Sequence, residues 1–103
     1  MIKVVFTYQT KTSDLPELME KFQQSASSEF NGIVNNLGIN QFKRSEGDQT
    51  IVVLDIYYES LSDYDERTTY ERSQVAWNDI WFNPTNKHKE LSVEVFEVLN
   101  KTF

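Results

Sequence analysis

The chain has 103 residues, a formal net charge of −6, 39% apolar residues and no cysteine. That length supports one domain over residues 1–103 with a modest core, and the missing cysteine rules out disulfide scaffolds and cysteine-based metal sites. The acidic balance argues against a nucleic-acid partner, which would want a basic stripe, and no stretch approaches the ~18 apolar residues of a membrane span.

Residues 1–9, MIKVVFTYQ, carry Lys3 and Gln9 inside a short apolar run and no cleavage site after it, so no signal peptide is read and a soluble, cytoplasmic protein is expected. Residues 2–9 predict a strand, β-branched and aromatic, with Ile2, Val4, Phe6 and Tyr8 on one face and Lys3, Val5, Thr7 and Gln9 on the other. Residues 14–30 predict a helix, because Leu15, Leu18, Met19, Phe22, Ala26 and Phe30, with Ile33 beyond, form one stripe. Asp14 and Glu17 make a capping-box pattern at its start, Pro16 sits in the first turn, and Asn31-Gly32 marks the stop.

Residues 37–44 and 50–58 predict a hairpin turned at Glu46-Gly47-Asp48. Its first arm is polar and suits an edge, and its second, TIVVLDIYY, suits a central strand buried on both faces. Residues 62–82 predict a second helix, with Ser62 as N-cap and Asp63, Asp65 and Glu66 where the helix dipole favours negative charge. Its stripe is broad and aromatic but weakly patterned in the middle, so a break near Thr68-Thr69 would fit, and Asn83-Pro84 ends it. After a polar loop, residues 91–99 alternate cleanly and predict the last strand.

Strand–helix–strand repeated twice, with right-handed crossovers, predicts a ferredoxin-like α+β fold: a four-stranded antiparallel sheet in the order 4-1-3-2 with both helices on one face. The face without helices should be polar in a monomer. Instead the strands offer two apolar faces, one with Val4, Phe6, Val52, Leu54, Ile56, Val93 and Val95, the other with Val5, Ile51, Val53, Tyr57, Phe96 and Val98. A homodimer through sheet-to-sheet packing, helices outside, would bury whichever face the helices leave uncovered; the alternative is a monomer that shields it with long side chains.

The opening strand MIKVVFTYQ, the central IVVLDIYYES running into Ser62 and the terminal HKELSVEVFEVL resemble the dimeric α+β barrel superfamily, whose best-known branch is the antibiotic-biosynthesis-monooxygenase-like group. The resemblance covers nearly the whole chain. It implies a homodimer and a range of activities, from cofactor-independent oxygenation to haem degradation, which fold alone does not choose between. The haem-degrading branch carries an asparagine on the first strand with a tryptophan and a histidine elsewhere. The first strand here has no asparagine, which argues against haem degradation.

Several residues could carry chemistry. His88, the only histidine, could be a general base near neutral pH or an exposed loop residue between Lys87 and Lys89. Trp77 and Trp81 share a helix face and with Tyr70 could wall a planar ligand, or could be ordinary core. Asp55 interrupts the most apolar strand and could be a base in a pocket closed by Tyr57, or a structural partner for a cation or a tyrosine hydroxyl. Tyr8, Tyr57, Tyr58 and Tyr64 bring polar tips to an apolar lining, which suits a small-ligand cleft or a dimer seam. Phosphate-loop, dinucleotide-binding, nucleophile-elbow and zinc-protease motifs are absent from the sequence, so no cofactor and no metal are expected.

Two functions follow. The resemblance implies a cofactor-independent monooxygenase-like enzyme for a small aromatic or hydrophobic substrate, with His88 or Asp55 as base and Trp77, Trp81 and Tyr58 as walls. The alternative is a non-catalytic homodimer binding a small hydrophobic ligand or a protein partner.

Overall fold

The computed structural model describes residues 1–32 and 34–102. Ile33, which the sequence adds to the first helical stripe, lies outside the described residues. Chain order is β1 (Ile2–Lys11), a 3-10 turn, α1 (Leu15–Ser25), a second 3-10 turn at Ser28–Phe30, β2 (Gly38–Glu46), β3 (Gln49–Tyr58), α2 (Leu61–Arg72), α3 (Val75–Trp81) and β4 (Lys89–Glu97). The sheet is antiparallel in the order β2-β3-β1-β4, as expected from the crossover rule. The β2–β3 hairpin closes through Gly47-Asp48, with a positive φ at Gly47 alone, the type II′ pattern that matches strand twist.

Register assigns the faces. Ile2 pairs with Tyr58, Val4 with Ile56, Phe6 with Leu54 and Tyr8 with Val52. These residues face the helices and form the core with Leu18 and Phe22 of α1. Val4, Val52 and Leu18 are closed off almost completely. Burying side chains of this size stabilises the fold by about 1.5–3 kcal/mol each. The opposite, open face carries Val5, Ile51, Val53, Tyr57 and Phe96, as the alternation predicts.

Four local expectations are corrected. The first helix stops at Ser25 rather than running to residue 30, because Ser25-Ala26-Ser27-Ser28 offers the backbone side-chain partners: Ser25 Oγ donates to the Phe22 carbonyl at 3.1 Å. Its N-terminus is not a capping box, since Asp14 is already helical and makes no side-chain cap bond. The cap of α2 is Ser60 rather than Ser62, its hydroxyl accepting from the Asp63 N–H at 3.1 Å. The second helix does break, but at Ser73-Gln74 rather than Thr68-Thr69. Gln74 is extended, and Asn78 Nδ2 donates to the Arg72 carbonyl at 2.9 Å, which satisfies the end of α2.

Candidate functional site

The broken pair α2 and α3 supplies one wall of a cleft of about 440 Å³, and β1 and β3 supply its floor. A second hollow of similar volume, lined by Gly32, Glu66 and Tyr70 among others, has Tyr70 as its one aromatic ring among the described residues, so volume alone does not choose between them.

One end of the cleft is aromatic. Tyr8 stacks on Trp81 with ring centroids 5.7 Å apart, and Phe22 touches both, 5.3 Å from Trp81 and 5.5 Å from Tyr8. Trp77 meets Phe30 edge-on at 5.3 Å and Trp81 at 6.3 Å. His88 enters edge-on, 5.8 Å from Tyr8 and 5.6 Å from Trp81. Burial, with Lys21 adding, holds the imidazole below its ordinary pKa, so it is neutral at pH 7. Trp81 Nε1 and His88 Nδ1 are both buried without a hydrogen-bond partner. A buried polar group in that state costs about 1–3 kcal/mol, which a ligand reaching it would relieve. Burial and the Glu90 carboxylate push the Tyr8 hydroxyl far above its usual pKa, so it stays protonated.

His88 owes its place to an irregularity in β4. Thr7 pairs with Ser92 but Tyr8 pairs with Glu90, so Leu91 is an extra residue. Strict alternation from Val93 would send His88 and Glu90 to the open face. The bulge reverses the parity, and both line the cleft. The loop before β4 is tied down: the Lys87 N–H donates to Glu17 Oε1 at 3.4 Å, Lys87 pairs with Asp14 at 3.6 Å, and Asn86 Nδ2 donates to the Ile80 carbonyl at 3.0 Å.

The other end is polar. Tyr58 and Tyr64 lie 5.4 Å apart. Burial pushes the Tyr58 hydroxyl up to about 12. Beside them Arg67 Nε donates to Glu71 Oε2 at 3.0 Å, and Arg67 Nη1 to the Val34 carbonyl at 3.0 Å. Burial raises the Glu71 carboxyl above its ordinary range, and Arg67 opposes that shift.

Of the residues singled out by sequence, the structure brings Tyr8, Tyr58, Trp77, Trp81 and His88 to this one cleft. Asp55 is a correction. It pairs with Val5 in register and so points to the open face, where it meets Lys3 Nζ at 3.7 Å. The sheet separates it from the cleft, so it cannot act as a base there; it is the cation's structural partner. Tyr57 shares that face, under the Lys101 ammonium 4.3 Å from its ring. Tyr70 is a second correction: its ring packs on Gly32 and its hydroxyl donates to the Glu29 carbonyl at 3.1 Å, so it braces a loop instead of walling the cleft. Any Cβ at Gly32, which has φ +59°, would stand 2.9 Å from that ring. Arg67, Glu71 and Glu90 escape a search for aromatic stripes. The signal for the first two is their four-residue spacing on one helix face.

No family model matches the sequence, and no match to a curated protein reaches significance. Solved structures do match. An arginine-to-serine variant of MhuD with two manganese protoporphyrin IX bound per active site aligns with TM-score 0.71 at 16% identity, over 100% of this chain and 99% of that one. A dimeric ferredoxin-like protein from an uncultured marine organism aligns with TM-score 0.73 at 13% identity, over 98% of both chains. An uncharacterized NIPSNAP domain protein from Burkholderia xenovorans aligns with TM-score 0.62 at 12% identity, over 99% of this chain and 100% of that one. At these identities the likeness shows the fold alone: the chain has the ferredoxin-like architecture.

Proposed function

We propose that the protein binds a planar aromatic small molecule in the cleft between helices and sheet and acts on it as a cofactor-independent, monooxygenase-like enzyme. The observation that carries this reading is a neutral imidazole set among aromatic walls. Rings of Tyr8, Trp81 and Phe22 offer stacking surface, and the orphaned Trp81 N–H offers a donor to a substrate oxygen. His88 is the general base: it takes the proton of an acidic phenol or enol, and the substrate anion then reduces dioxygen, one oxygen atom becoming a ring carbonyl and the other leaving as water with the two hydrogens the substrate loses, so that the substrate itself supplies all four electrons and the product is a quinone. Held below its ordinary pKa, the imidazole is unprotonated and ready at neutral pH.

The protein works as a homodimer through its open sheet face. Phe42 and Phe96 stand 55% and 46% exposed there among half-buried Val5, Ile51 and Val53, a patch that a second copy would cover. Light scattering should give about twice the 12.1 kDa of one chain.

The test is a titration of tryptophan fluorescence with planar aromatics, followed by oxygen uptake. Saturable quenching weakened by Trp77→Phe and Trp81→Phe places the ligand. His88→Ala should keep binding and abolish turnover; binding without oxygen uptake by the native protein would leave a non-catalytic binding protein. Iron porphyrin belongs in the same titration because the MhuD relative in fold binds a porphyrin.

A further inference from the structure

The inward stripe of α2 is built from the wrong residues for a core. Tyr64, Arg67, Thr68 and Glu71 recur at i, i+3, i+4 and i+7, and all four line the cleft. Arg67 is 6% exposed and bound to Glu71 and to the Val34 carbonyl. A buried ion pair adds little stability over well-packed apolar residues of the same volume, so packing does not account for this wall.

Arg67 and Glu71 cancel each other on α2. Arg72, one residue on, lines the same wall with its guanidinium 5.2 Å over the ring of Phe82, the residue after Trp81, and makes no ion pair among the described residues. An anionic group in the cleft therefore finds an unpaired cation at Arg72. A guanidinium fork matches a carboxylate with two parallel hydrogen bonds.

We propose that the ligand is an aromatic carboxylate, its rings against the cluster of Tyr8, Phe22 and Trp81 and its acid group on Arg72 at the α2 wall. This deepens, and rests on, the reading of the cleft as an aromatic-binding site.

The test compares anthracene-2-carboxylate with its uncharged carboxamide, read by energy transfer from Trp77 and Trp81, at low and high salt, on the native protein and on Arg72→Gln. Circular dichroism checks that the variant is folded. The expected result is a Kd for the carboxylate at least tenfold below that of the carboxamide, a preference that shrinks with salt and disappears in Arg72→Gln. Equal affinities, or a preference that survives Arg72→Gln, overturn the assignment while leaving the aromatic site standing. Absence of energy transfer from either compound overturns the aromatic site as well.

Discussion

Helices α1 and α2 lie on the same face of the sheet, and each presents four residues at the same spacing. In α1 these are Leu15, Leu18, Met19 and Phe22; in α2 they are Tyr64, Arg67, Thr68 and Glu71. The first set meets Tyr8, Val52 and Leu54 and closes the core. The second set meets the cleft and satisfies its polar groups mostly within the helix and the neighbouring loop. One helix is therefore held by burial, and the other by capping, an internal ion pair and a few ring contacts. The difference teaches that a helix can keep its place over a sheet with little apolar area, provided the other helix supplies the core, and that its face is then available for recognition.

Breaking the polar face should have the largest effect. Arg67→Ala strands the Glu71 carboxylate in a buried place and should cost about 3–5 kcal/mol in urea unfolding. Arg67→Met combined with Glu71→Leu should cost nothing measurable or stabilise, because the charges leave together; a loss as large as the single variant's would mean that the bond to the Val34 carbonyl dominates.

On the apolar face, Leu18→Ala should cost about 2–5 kcal/mol, the usual range for a truncation that leaves a cavity. The ends of the two helices sharpen the contrast. Ser60→Ala removes a real cap and should lower stability by about 1 kcal/mol in thermal melts. Asp14→Ala, which loses no cap bond and only a half-exposed contact with Lys87, should cost under about 0.5 kcal/mol.

The smallest effect is one of pH. His88 is held below its ordinary value near 6.5 in the folded chain, so the unfolded chain takes up the proton first as pH falls. The stability His88 contributes is present above 6.5 and is lost as pH drops from there toward the lower folded value. His88→Gln should flatten that part of a melting-temperature profile. Glu71, with its carboxyl raised, acts in the opposite sense at lower pH, because the folded chain then holds the extra proton.

Alternation and turn chemistry make most of the architecture readable. The face of each strand in β1 and β3 follows from period two, and the order of the sheet follows from the handedness of its crossovers. The cleft was legible where aromatic residues share a helix face, as Trp77 and Trp81 do. It was not legible at Asp55, because a single carboxylate in an apolar strand looks the same whichever face it takes, and only register sends it to Lys3. Nor was it legible in α2. Its weak apolar patterning reads as a sign of a break near Thr68-Thr69, whereas those residues belong to an unbroken, polar-faced helix and the break comes where serine and asparagine side chains capture the last carbonyls.

The extra residue at Leu91 has a consequence at the level of the gene. Deleting the Leu91 codon would remove the bulge and leave the imidazole facing the cleft, because Glu90 would then adjoin Ser92 in strict alternation, and Val93 and Val95 would keep their places beside Phe6 and Val4. The tryptophans, the floor of the cleft and the arginine wall are untouched by that event. The bulge thus reads as a one-codon insertion that the sheet has absorbed: a chain shorter by that residue would hold its histidine on the same side, with fold and pocket unchanged.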